Sequence, residues 1–140
     1  LDYCLRRFDI ATGKVSDVVT NMPGFPDNMS ALDTSVGDGQ GAWVAFAHPR
    51  SLPLDLLAKA PRAVSHIVWN MPDGIRPGPA HEVWVTRWNL QNSVWRAGGQ
   101  VRGQHPDFHT PTAAVPVGEE LVLASKDCSD LLVLPLSLVS

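Results

Sequence analysis

The sequence predicts an all-β protein built from successive antiparallel hairpins, with one helical insertion. Three observations predict it. Apolar and polar residues alternate with period two in short runs, the pattern of half-buried strands. Twelve prolines and eleven glycines punctuate 140 residues, which suits many strands joined by turns. The hairpins recur at spacings of roughly 25–40 residues, a repetition that suggests propeller blades of four strands each.

The elements follow in chain order. Cys4–Ile10 and Val15–Thr20 flank the turn Ala11-Thr-Gly-Lys14 and read as a first hairpin. Residues 21–28, Asn-Met-Pro-Gly-Phe-Pro-Asp-Asn, read as a turn-rich loop. Met29–Leu32 starts the next strand, Ser35–Gly41 makes a turn, and Ala42–Ala47 is a short apolar strand that closes a second hairpin. Leu52, Leu54, Leu56, Leu57, Ala60, Val64, Ile67 and Val68 recur at three- and four-residue spacings, which predicts helix over 52–70, broken or kinked at Pro61. A loop over 71–79 follows. Glu82–Trp88 alternates with period two and pairs with Ser93–Arg96 across Asn89–Asn92. Residues 98–109 read as a polar loop carrying His105 and His109. Ala113–Val117 and Leu121–Ser125 form a fourth hairpin around Gly118-Glu119, and Leu131–Leu134 is the last strand.

Composition narrows the function classes. Hydrophobic residues make up 44% and charged residues 18%, a globular balance with enough chain for one core. The net charge of −3 and the absence of any Lys/Arg cluster argue against nucleic acid as a partner. No run approaches the roughly 20 apolar residues of a membrane span. Cys4 and Cys128 show no zinc-ligand spacing; a disulfide between them and two separate thiols both remain open. The chain opens at Leu1 directly into strand-like sequence, which reads as a fragment whose N-terminal part, with any targeting signal, lies elsewhere.

The pair Asp27-Asn28 is the first candidate site, because Ca²⁺ prefers carboxylate and amide oxygens; capping of a turn is the alternative role for either residue. His105 and His109, in the loop that precedes the fourth hairpin, are candidate bases; solvated loop histidines are the alternative, and the one the residue type favours. The insertion offers Leu54, Leu57, Val64, Ile67 and Trp69 as apolar surface for a lid, for membrane contact through 52–70, or for packing on the rim. No Gly-x-Ser-x-Gly elbow and no glycine-rich phosphate loop is present.

Met22-Pro-Gly-Phe-Pro-Asp-Asn28, Gly39-Gln-Gly-Ala-Trp-Val-Ala45 and His48-Pro-Arg50 together resemble the strictosidine synthase-like family, most closely the branch of adipocyte plasma membrane-associated protein. The endings Glu120–Ser125 and Leu131–Leu136 support the resemblance. It implies part of a six-bladed β-propeller, about two and a half blades. Residues 1–20 would end one blade, 21–97 would form a full blade with the insertion 52–70, and 98–140 would form the last blade, the rest of the propeller lying outside this chain. It also implies a channel Ca²⁺ held in part by Asp27 and Asn28, and arylesterase- or lactonase-like hydrolysis of a small ester or lactone. A non-catalytic, membrane-associated scaffold or binding module is the alternative, and a secretory or membrane location goes with either. Thr112 falls where the synthase carries its catalytic glutamate, and a hydroxyl with no base beside it does not replace that acid, so strictosidine synthesis is not expected.

Overall fold

The computed structural model describes residues 3–34, 40–51, 55–56, 60, 64, 66–67, 70–71 and 81–139. Among these the chain is all-β, in three antiparallel sheets of which none closes on itself. The first is a hairpin of β1 (Leu5–Asp9) and β2 (Lys14–Val19). The second has four strands in the order β3 (Gly24–Met29), β4 (Gln40–Pro49), β5 (Val83–Gln91) and β6 (Val94–Gly103). The third joins β7 (Pro111–Val117), β8 (Glu120–Ser125) and β9 (Leu132–Pro135), and a single 3₁₀ turn over Leu136–Leu138 follows it.

The four-stranded sheet is the centre of the molecule, because both of its faces are apolar. Odd positions Trp43, Ala45, Val83 and Val85 pack with Phe108, Ala114, Leu121 and Leu123 of the third sheet and its approach. Even positions Val44, Phe46, Trp84 and Trp88 pack with Tyr3, Val19 and Met22 on the side of the first hairpin. Period-two alternation thus divides one strand between two cores. Each fully buried large side chain contributes roughly 1.5–3 kcal/mol, so the two cores carry most of the stability.

Several expectations need correction. The segment 21–28 is not a loop throughout: Gly24–Asn28 belong to β3, which ends at Met29, and beyond it contact with β4 continues only through the Ser30 N–H, which donates to the Trp43 carbonyl at 2.8 Å, and the bridge from Asp33 to Gly41. Pro26 is tolerated because β3 is an edge strand, where a missing N–H costs no ladder bond. Residues 98–103 extend β6 rather than opening a polar loop. Gly98 allows this, since a Cβ there would stand 2.6 Å from the Asn89 Nδ2 atom.

Most of the helical insertion 52–70, including Leu54, Leu57, Trp69 and Pro61, lies outside the described residues. Asp55, Leu56, Val64, His66 and Ile67 are helical within it. Asn70 N–H donates to the His66 carbonyl at 3.1 Å, an α-type bond. Among the described residues no helix is long and apolar enough to cross a membrane.

Candidate functional site

The irregular register of β3 creates the first site. Neighbouring residues on a regular strand point to opposite faces, but the pairing shifts between Pro26 and Met29, as in a bulge. This brings Asp27 and Asn28 side by side, with Asn28 Nδ2 donating to Asp27 Oδ1 at 3.1 Å. The same nitrogen donates to the main-chain oxygen of Thr112 at 2.8 Å. An exposed amide on the edge of the central sheet is thereby tied to the edge strand of the third sheet, 84 residues away in sequence. Asp27, Asn28 and Thr112, three residues singled out by sequence, stand together. The Thr112 hydroxyl donates away from the pair, to the Ala124 carbonyl at 3.4 Å.

The other candidates gather elsewhere. β3, β5 and β7 begin, and β4, β6 and β8 end, at one end of the sheets, where Thr110 N–H donates to the Glu82 carbonyl at 3.1 Å. His48 closes β4, His81 precedes β5, and His105 and His109 lie between β6 and β7. With His66 in the insertion between β4 and β5, all five histidines sit at or between element ends of this kind. His105 is exposed and accepts the Asp107 N–H at 3.2 Å, an ordinary loop contact.

His109 makes more contacts. Its Nδ1 meets Thr110 Oγ1 at 3.0 Å, and its carbonyl accepts from Ser125 Oγ at 2.7 Å and Cys128 Sγ at 3.8 Å. Thr110 itself is fully buried and holds a left-handed φ of 52°, a costly conformation for a β-branched residue. The His109 ring lies 4.2 Å from that of His81, centre to centre and tilted by 47°. Both rings line a groove of about 300 Å³ with Asp107, Asp127, Cys128 and Asp130. His81 is the neighbour that the sequence reading did not pair with His109. Its place just before a strand is legible in sequence, but no local pattern shows that the start of β5 lies beside that of β7.

Cys4 and Cys128 are free thiols. His48 is held below the ordinary histidine range, first by burial and then by the Lys126 charge, with Asp127 opposing. Among the described residues no three His, Cys, Asp or Glu side chains form a ready-made metal cage. Comparison of the chain with protein-family models, with curated proteins and with solved structures returns no match.

Proposed function

We propose that the chain is a segment of a strictosidine synthase-like β-propeller in which β3 and β7 line a central channel. There Asp27 and Asn28 help to hold Ca²⁺ for the hydrolysis of a small ester or lactone. The Asn28–Thr112 contact carries this reading. A propeller stacks four-stranded antiparallel sheets face to face, each with one edge strand at the axis. The central sheet has four strands in meander order with a further sheet on each face, and Asn28 bridges the edges of two successive sheets.

The donor chemistry fits a hard cation. Both hydrogens of the Asn28 amide have acceptors within the fold, Asp27 Oδ1 and the Thr112 carbonyl. Its own Oδ1 is left for a ligand, beside the second carboxylate oxygen of the exposed Asp27. Ca²⁺ takes about six to eight oxygens, so this pair would supply a minority and the inner strands of other blades the remainder. A bound ion would polarise the substrate carbonyl and stabilise the developing oxyanion. The chain's own part is positional: the tether to Thr112 holds Asn28 in one orientation, and half-exposed Met29 offers apolar wall beside it. Strictosidine synthesis does not suit the site, because Thr112 spends its hydroxyl on a main-chain carbonyl.

The alternative is a non-catalytic scaffold or binding module that uses the same fold without an ion. Calorimetric Ca²⁺ titration and phenyl acetate hydrolysis separate the two readings. The hydrolase requires both signals in the wild type and their loss in Asn28→Ala. Absence of both in the wild type would leave the scaffold standing.

A further inference from the structure

β3 leaves the central sheet through a side chain. In a regular hydrogen-bonded antiparallel pair, two facing residues exchange both main-chain bonds. Ser30 and Trp43 exchange only one of them: the Ser30 N–H donates to the Trp43 carbonyl at 2.8 Å. The Trp43 N–H donates at 2.9 Å to the Ser30 hydroxyl oxygen, not to the serine carbonyl. That hydroxyl in turn donates to the Ala31 carbonyl at 2.8 Å. We propose that Ser30 is a positioning residue for the Asp27–Asn28 site, its hydroxyl fixing the stretch of strand that aims the Asn28 amide. Its part in holding an ion rests on the channel reading; its part in fixing Asn28 does not.

Two bulges flank this residue. Upstream, Pro26 faces Phe46 and Met29 faces Val44, so Asp27 and Asn28 stand opposite the single Ala45. Downstream, Asp33 and Gly41 exchange both main-chain bonds, at 2.7 and 2.8 Å, so Ala31 and Leu32 stand opposite Ala42 alone. Only Met29 and Ser30 lie in register between the two irregularities. The Ser30–Trp43 bonds are therefore what ties the downstream side of the Asp27–Asn28 bulge to β4.

The hydroxyl is held there by the cost of the alternative. Trp43 is fully buried, and its N–H, if left without an acceptor, would lose its hydration and gain nothing in return. Because a serine side chain is short, the bond forms only while the Ser30 backbone keeps its distance from β4. Asn28 lies two residues back on the same strand, so period two places it on the face of Ser30 and Trp43, the face toward the third sheet. There its Nδ2 reaches the Thr112 carbonyl at 2.8 Å. Alanine at position 30 keeps one bond to Trp43 and loses the other, which frees the bulge to widen and Asn28 to swing away from Thr112.

The test combines solvent exchange of the Asn28 side-chain amide, followed by NMR in the whole chain labelled with ¹⁵N-asparagine, with calorimetric Ca²⁺ titration. The Asn28 signals are identified by their loss in Asn28→Ala. Ser30→Ala should speed that exchange and weaken Ca²⁺ binding, each by about tenfold or more, while far-ultraviolet circular dichroism stays that of the wild type. Ser30→Thr, which restores a hydroxyl, should return both to wild-type values, and Ser16→Ala, at an exposed position on β2, should change neither. Should Ser30→Ala fail to fold, Ser30→Cys, whose thiol is a weaker acceptor, carries the same comparison. A folded variant that keeps the wild-type exchange rate overturns the proposal. Faster exchange with wild-type Ca²⁺ affinity overturns the part of Ser30 in holding the ion. A wild type that binds no Ca²⁺ overturns the channel reading instead, and the exchange rates still decide whether Ser30 fixes Asn28.

Discussion

Arg87 shows how a single side chain can contradict the pattern around it. It follows Val83 and Val85 on the core face of β5 and is only 3% exposed. Its partner across the ladder is Trp43, and its Nε has no hydrogen-bond acceptor among the described residues. One weak contact runs from Nη2 to the Asp33 carbonyl at 3.4 Å. Burial depresses its affinity for the proton, and the Asp33 charge opposes that. Gly41 makes room for it, since a Cβ there would meet Nε at 2.6 Å. A buried cation this poorly paired gives little net stability, whereas its aliphatic stem packs usefully. Arg87→Met should therefore lie within about 1 kcal/mol of wild type, and Arg87→Ala should lose about 2–4 kcal/mol through the void it leaves. Urea unfolding of both variants decides the matter. Equal losses would mean that the guanidinium itself holds the sheet.

The contact between the end of β4 and the turn after β8 gives the pair of larger sheets a pH dependence. His48 titrates below its unfolded value near 6.5, chiefly through burial and secondarily through Lys126. Between the two values the unfolded chain binds more protons than the folded one, so stability rises with pH across that window. Acidification from above pH 6.5 to below it should lower the urea midpoint, most steeply below 6.5, and His48→Gln should remove that part of the slope. An unchanged slope in the variant would place the titrating group elsewhere. The strands that meet here, β4 and β8, were legible in sequence because Ala42–Ala47 and Leu121–Ser125 are apolar runs bounded by turn residues. β3 was not, because Pro26 and the Pro-Gly start carry loop propensities, and only an edge position with a shifted register accommodates them. The site divides in the same way. Asp27, Asn28 and Thr112 were identifiable by residue type and resemblance, but their meeting depends on sheet stacking that no local pattern encodes. His81 and Cys128 reach His109 for the same long-range reason.

The stack of three sheets has covered faces inside and apolar faces outside. The central sheet is buried on both sides, yet the third sheet turns Val115 and Val133 outward at 47% and 46% exposure, on either side of Val122 in the ladder. The first hairpin likewise exposes the cross-strand pair Phe8 and Val15. A sheet face of this kind resembles the one that the central sheet buries, so water is a poor solvent for it. The isolated 140-residue chain should accordingly self-associate or aggregate as its concentration rises. Val115→Lys with Val133→Lys should raise the monomer fraction in size-exclusion chromatography with light scattering. These side chains lie outside the two cores, so the substitutions should leave the far-ultraviolet circular dichroism unchanged. A wild-type chain that stays monomeric and unfolds cooperatively on heating would show that three stacked sheets are self-sufficient, and would remove the physical reason for expecting further blades around them.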